Sequence, residues 1–287
     1  MKKVAIINHK GGVGKTTFTG CIGQALSLTG FRVLLVDNDS QHNLSTLLGT
    51  GVHQPNIRDV YLSDPASAPA TFLKAIRKTE IAELHIVTAP SLLSGADVTD
   101  TGFLAECLRS CGLERFYDFL LIDNAPGIDT LQSAAIHAVD EIFVPTELRQ
   151  FAIDGLAEME QIIRQRFPSA APVTRIIPNF YKDTKRHNTF LLALHRLFPG
   201  RVTQTAIPID SVFDEMVTEE KILFLHRLYS KGAAYYLKLM HELFDLDEAE
   251  IWQTMIEKRK ERLSEDARQR FYQQRSQVSS PDKGERQ

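Results

Sequence analysis

KKVAIINHKGGVGKTTFTG, residues 2–20, runs an apolar strand into KGGVGK, a loop of three glycines and two lysines, and then into the first turns of a helix. Glycines let a backbone wrap closely around an object, and the lysines make that object an anion. In a strand–loop–helix setting, successive backbone N–H groups point inward and the helix N-terminus adds a partial positive charge, which is a phosphate cradle. The loop Gly11, Gly12, Val13, Gly14 would supply the amides. Lys15 would reach the β and γ phosphates, Thr16 would place its hydroxyl on Mg²⁺, and Thr17 would bond the α phosphate.

Outward from this loop, short β-branched runs recur at 3–8, 32–37, 84–89, 119–123, 141–145, 173–179 and 201–208. Most are continuous rather than alternating in hydrophobicity, the pattern of parallel strands buried on both faces. Helix-length segments lie between them, over 15–29, 99–111, 128–138, 151–167, 187–198 and 229–244, while the proline-bearing stretch 61–70 reads as a loop. The alternation predicts an α/β fold, a doubly wound, mainly parallel sheet flanked by helices. One further helix is expected over 248–277, with apolar positions at Ile251, Trp252, Met255, Ile256, Leu263, Ala267 and Phe271. The chain thus divides into a domain over 1–246, a C-terminal helix over 247–278 and a disordered tail over 279–287.

At 287 residues and 43% hydrophobic content the chain can bury a sizeable core. Its net charge of −3 marks no overall affinity for nucleic acid, so such a role would need a local patch. Three cysteines, Cys21, Cys107 and Cys111, form no paired CxxC motifs, and a reducing cytoplasm is expected. With the first strand starting at residue 2, no signal peptide is expected, and no apolar run reaches the ~18 residues of a membrane-spanning helix.

The loop departs from GxxxxGK[ST] at its first position, where His9 stands in place of glycine and is followed by Lys10. KGGVGKT resembles the deviant P-loop ATPases, the group of the ParA and Soj partition proteins, MinD and the nitrogenase iron protein. The resemblance implies Mg²⁺ and ATP as cofactors and a dimer that sandwiches the nucleotide, with Lys10 crossing to the partner's phosphates. VDNDSQHN is similar to the family's DxDPQ stretch, which implies that Asp39 orients the attacking water and that Asp37 supports the Mg²⁺ shell; Ser40 replaces the family's proline. YDFLLIDNAPG has the apolar run and aspartate of a Walker B strand, so Asp123 would hold Mg²⁺ through a water. Asn124-Ala125-Pro126-Gly127 stands where relatives commonly read DTPP.

The likeness extends from residue 2 to about 244. It implies contacts to the adenine from Asn179 in IIPNF and Pro208 in TAIPID; both positions also suit simple strand-end turns. For a ParA-like ATPase the expected partners are a second copy, DNA bound without sequence preference, and a stimulating ParB-like adaptor, with no membrane contact. The location would be cytoplasmic and on the nucleoid when ATP is bound. Residues 175–241 hold ten Lys or Arg against six Asp or Glu, while 1–174 hold fourteen against nineteen. Lys182, Lys185, Arg186, Arg227 and Lys231 are the DNA-contact candidates, although a solvated helix face is the commoner origin of such charges. Against DNA binding, IPIDSVFDEM lacks the basic residues that some relatives carry after Ile-Pro. Rival readings are a MinD-like positioning regulator, a P-loop biosynthetic ligase, an iron–sulfur reductase, and a nucleotide binder without turnover.

Overall fold

In the computed structural model, which describes residues 1–168, 170–219 and 222–278, the apolar runs form one sheet of seven strands. These are β1 (Lys2–Ile6), β2 (Val33–Asn38), β3 (Ile76–Lys78), β4 (Leu84–Val87), β5 (Phe119–Asn124), β6 (Glu141–Glu147) and β7 (Val173–Asn179), in spatial order β3-β4-β2-β5-β1-β6-β7. All neighbours are parallel except β3 and β4. The helices are α1 (Lys15–Leu28), α2 (Asn43–Leu47), α3 (Ile57–Tyr61), α4 (Ala68–Ala75), α5 (Phe103–Cys111), α6 (Thr130–His137), α7 (Gln150–Arg166), α8 (Lys185–Leu197), α9 (Val212–Thr218), α10 (Leu223–His226), α11 (Lys231–Phe244) and α12 (Glu248–Val278).

The period of two along each strand divides the core. Ala5, Leu34, Val36, Leu120 and Ile122 pack on the face covered by α3 to α7. Val4, Ile6, Leu35, Leu121 and Phe143 pack on the other, under α1 and α11. With both faces covered, the strands need no polar side, which is why their sequences are continuously apolar. The arrangement gathers the C-terminal ends of β1, β2 and β5 at one edge, where open α/β sheets bind ligands.

Two expectations are corrected, and one strand is new. Residues 201–208 do not form a strand: single bridges join Val202 to Ile176 and Pro208 to Tyr181. The intervening donors are diverted, since Gln204 N–H and Thr205 N–H bond the Glu242 carboxylate at 2.6 and 2.9 Å. The stretch 61–70 is only partly loop, because α4 opens with Ala68-Pro69 and a proline in the first turn lacks an N–H that would be unpaired there anyway. The strand β3 went unpredicted; it is three residues long and partly exposed, too short to carry a pattern.

The helix α12 forms as expected, and its first turns bury Ile251 and Met255 in the α1–α11 cluster. Arg259 lies over the Tyr229 ring at 5.2 Å, and Arg262 pairs with Glu80. Ala267 and Phe271 lie where side chains are not described, and the expected tail over 279–287 lies outside the described residues. The three cysteines are free and buried. No described helix is long and apolar enough to cross a membrane.

Candidate active site

The loop after β1 turns twice through the left-handed region, at Gly12 (φ 72°) and Gly14 (φ 87°), which explains the glycines physically. Gly14 has a second constraint: a Cβ there would lie 2.2 Å from Asn179 Nδ2. That amide donates to the Val13 carbonyl at 2.9 Å, and Asn179 Oδ1 accepts from Phe180 N–H at 2.9 Å. Asn179 therefore clamps the loop from the end of β7. From the other side, Asn8 donates to the Pro145 carbonyl at 2.8 Å and accepts from Lys10 N–H at 3.0 Å.

The Lys15 ammonium is buried and donates to the carbonyls of Lys10 (3.2 Å) and Asn8 (3.5 Å). Burial lowers its pKa, and Asp123 and Asp39 pull it back up. Thr16 Oγ1 donates to Asp123 Oδ2 at 2.7 Å, and the hydroxyl of Thr19, one turn along α1, is shared between the Lys15 carbonyl (3.0 Å) and Asp123 Oδ1 (3.2 Å). Thr19 was missed in the sequence; its spacing of three from Thr16, on one helix face, was the available signal.

Asp37 and Asp123 face each other in register across β2 and β5, both with no exposed surface. Burial pushes each carboxyl up to about 7, and the neighbouring Asp37 charge adds to the rise at Asp123. Two buried carboxylates and a threonine hydroxyl form an all-oxygen donor set with excess negative charge, which fits Mg²⁺. Within that set Asp37 has internal partners: its Oδ2 accepts from Ser45 N–H (2.9 Å) and Ser45 Oγ (2.7 Å), tying α2 to the strand end. Asp39 lines the cavity and accepts from Gln41 N–H at 2.9 Å.

Gly12, Gly14, Lys15, Thr16, Thr17 and Asp39 line one side of a cavity of ≈ 450 Å³; Gly11, Val13, Asp37 and Asp123 lie outside that lining. Phe180, Phe213, Asp214 and Tyr236 line the other side, none of them marked by the sequence because they come from three segments far apart in the chain. Asn179 lines it as well; Pro208 does not, but pairs with Tyr181 beside it. Lys10, half-buried, is not part of the lining, and among the described residues its ammonium has no hydrogen bond or ion pair.

Of the proposed DNA contacts, Lys182, Lys185 and Arg186 are exposed between β7 and the first turn of α8. Lys231 stands near them, since Gly232 N–H bonds Asp210 and Ile209 N–H bonds the Tyr181 carbonyl. Arg227 is paired with Glu215 at 2.9 Å, and Lys231 lies over the Tyr235 ring.

A family model described as an AAA domain matches residues 1–169. The chromosome partitioning protein ParA of Caulobacter vibrioides is 31% identical over 263 residues, spanning 85% of this chain and 94% of that protein. The sporulation initiation inhibitor protein Soj of Bacillus subtilis is 27% identical over 254 residues, spanning 84% and 98%. Among solved structures, Cyanothece McdA in complex with ATP superposes with a TM-score of 0.71 at 21% identity, over 86% of this chain and 97% of that one. MinD of Pyrococcus horikoshii with Mg-ADP gives 0.69 at 24%, over 85% and 96%. Cobyrinic acid a,c-diamide synthase of Mycobacterium smegmatis, with an ATP analog and magnesium, gives 0.66 at 23%, over 86% and 97%. The three structural likenesses speak for the fold, and the sequence relatives carry the lineage: the chain belongs to the ParA family of P-loop ATPases, enzymes that hydrolyse ATP with Mg²⁺.

Proposed function

We propose that the chain is an ATP-switched dimer that partitions or positions a cargo, hydrolysing ATP slowly until a ParB-like adaptor speeds the reaction. The observation that carries this reading is Lys10: it adjoins the phosphate loop, has no partner among the described residues, and does not line its own cavity. A lysine so placed is available to a second protomer's phosphates. Phe151 supports the same face as the dimer surface, being 81% exposed at the start of α7. One turn on, Gly155 packs so closely on the His9 ring that a Cβ would meet it at 2.5 Å, which sets Phe151 beside the loop.

In this reading the loop amides and Lys15 bind the triphosphate, and Thr16, Asp37 and Asp123 hold Mg²⁺, which when bound neutralises charge on the phosphate oxygens. Asp39 orients a water toward the γ phosphorus; the P–O bond to ADP breaks as the water oxygen bonds phosphorus, and a proton is released with phosphate. Lys10 from the second protomer offsets the charge that develops. Loss of the γ phosphate removes the nucleotide's preference for the dimer, so hydrolysis acts as a timer.

Residues 1–246 are the ATPase domain and α12 is a strap packed on it. Lys182, Lys185, Arg186, Arg227 and Lys231 contact DNA phosphates in the dimer, which places the ATP state on the nucleoid in the cytoplasm. A MinD-like reading without DNA has one observation in its favour: the segment after Ile207-Pro208 carries Asp210, Asp214 and Glu215 and no basic residue up to Met216. Size-exclusion chromatography of Asp39→Ala with ATP or ADP, followed by DNA, tests the proposal. An ATP-only dimer that shifts DNA in a salt-sensitive way is expected; a monomer in ATP removes the switch, and a dimer indifferent to DNA selects the second reading.

A further inference from the structure

The strands β2 and β5 end in the same dipeptide, Asp37-Asn38 and Asp123-Asn124, paired in register. The two aspartates face the phosphate loop. By the strand alternation, the two asparagines face the opposite side of the sheet, where they are 0% and 1% exposed. Asn38 Nδ2 donates to Asn124 Oδ1 at 2.9 Å and to the Leu131 carbonyl at 3.2 Å, and Asn38 Oδ1 accepts from the Tyr61 hydroxyl at 3.1 Å. Asn124 Nδ2 donates to the carbonyls of Ile122 (3.0 Å) and Ile6 (3.3 Å). Backbone carbonyls only accept, so they fix the orientation of both amides, and every amide hydrogen has a partner.

Each asparagine stands immediately before a loop that borders the cavity. Asn38 precedes Asp39, and Asn124 precedes Ala125-Pro126. Pro126 lies against the phosphate loop, 3.5 Å from where a Cβ on Gly11 would be, and Gln132 of α6 holds the Ala125 carbonyl at 3.0 Å. The Leu131 carbonyl that Asn38 reaches belongs to the same first turn of α6.

We infer that Asn38 and Asn124 are positioning residues: their amide pair braces the Asp39 loop to the Pro126 loop and α6, so that the two loops and the helix shift as one unit. This rests on the reading of Asp39 given above. A buried amide pair with every donor hydrogen paired has no partly rotated alternative, because a half-broken network leaves polar groups unpaired away from water. Displacement of either loop is therefore transmitted to the other and to α6 on the sheet face opposite the aspartates.

A double-mutant cycle tests the brace. Asn38→Ala, Asn124→Ala and the double variant are compared in kcat and KM for ATP, each normalised to the fraction of chains that bind a fluorescent ATP analogue. Each single change is expected to lower kcat about tenfold with KM held within about twofold, and the double change to cost no more than the worse single one. Losses that multiply, an unchanged kcat, or a KM that rises as kcat falls would overturn the brace. Should either alanine variant fail to fold, Tyr61→Phe removes one bond to Asn38 without opening a cavity; a drop in kcat of about threefold at constant KM is expected, and no drop overturns it. Asp39→Ala is run in parallel: normal turnover there overturns the role of Asp39, whereas its loss beside unaffected asparagine variants overturns the brace alone.

Discussion

The two walls of the cavity are built on opposite principles. The phosphate wall, Gly12, Gly14, Lys15, Thr16, Thr17 and Asp39 backed by Thr19, Asp37 and Asp123, comes from three adjacent strand ends and is tied by hydrogen bonds to buried carboxylates. The facing wall, Phe180, Phe213, Asp214 and Tyr236, is drawn from the end of β7, from α9 and from α11, and is held by packing of rings such as Phe213 on Tyr236, 5.5 Å apart. The difference teaches that chemistry is concentrated where strand register fixes positions, whereas the facing wall depends on the placement of whole helices.

Breaking the first wall gives the largest effects. Lys15→Ala is expected to lower kcat by about 10³-fold in a phosphate-release assay, because the proposed mechanism gives the triphosphate no other cation from its own protomer. Asp39→Ala is expected to cost about 10²-fold while fluorescent ATP binding persists, separating turnover from affinity. Gly14→Ala sharpens the seam between the walls: the new Cβ collides with Asn179 and the left-handed backbone disfavours alanine, so a loss of about 1–3 kcal/mol is expected in chemical denaturation, together with weaker ATP binding. On the helical side, Met255→Ala empties a fully buried position under α12 and is expected to cost about 2–4 kcal/mol with kcat unchanged. A drop in kcat matching that of Asp39→Ala would show that the two regions are not separable.

The last effect is in pH. Asp37 and Asp123 have carboxyls raised to about 7 in the folded chain against 3.8 when unfolded. A raised acid binds protons better in the folded state, so its contribution is complete below the unfolded value and is lost as pH rises through the folded one. The nucleotide-free chain is therefore expected to lose thermal stability from about pH 4 to pH 7, and Asp123→Asn to flatten that slope. A melting temperature that climbs over the same window would contradict the raised carboxyls of Asp37 and Asp123.

Much of the phosphate wall was legible because its determinants are local. KGGVGKTT carries its own turn and helix start, and an apolar run ending in aspartate marks a strand end wherever it occurs. The role of Asn179 as a clamp on Val13 was not legible, since the loop and β7 are 166 residues apart. Nor were the bonds of Ser45 to Asp37, because Ser45 reaches it only through the fold of the short helix α2. The failed strand over 201–208 makes the same point: its β-branched pattern was real, but Glu242 on α11 claimed its backbone donors.

The sequence by itself determined the parallel α/β sheet and the phosphate-binding turn, because hydrophobic period and backbone permissiveness act over a few residues. Only the tertiary structure decided which carboxylates share a buried site, which asparagines meet behind them, and which aromatic residues close the cavity. Those relations depend on strand register and helix packing, in which residues far apart in the chain become neighbours through the burial of surfaces that no single segment can cover alone.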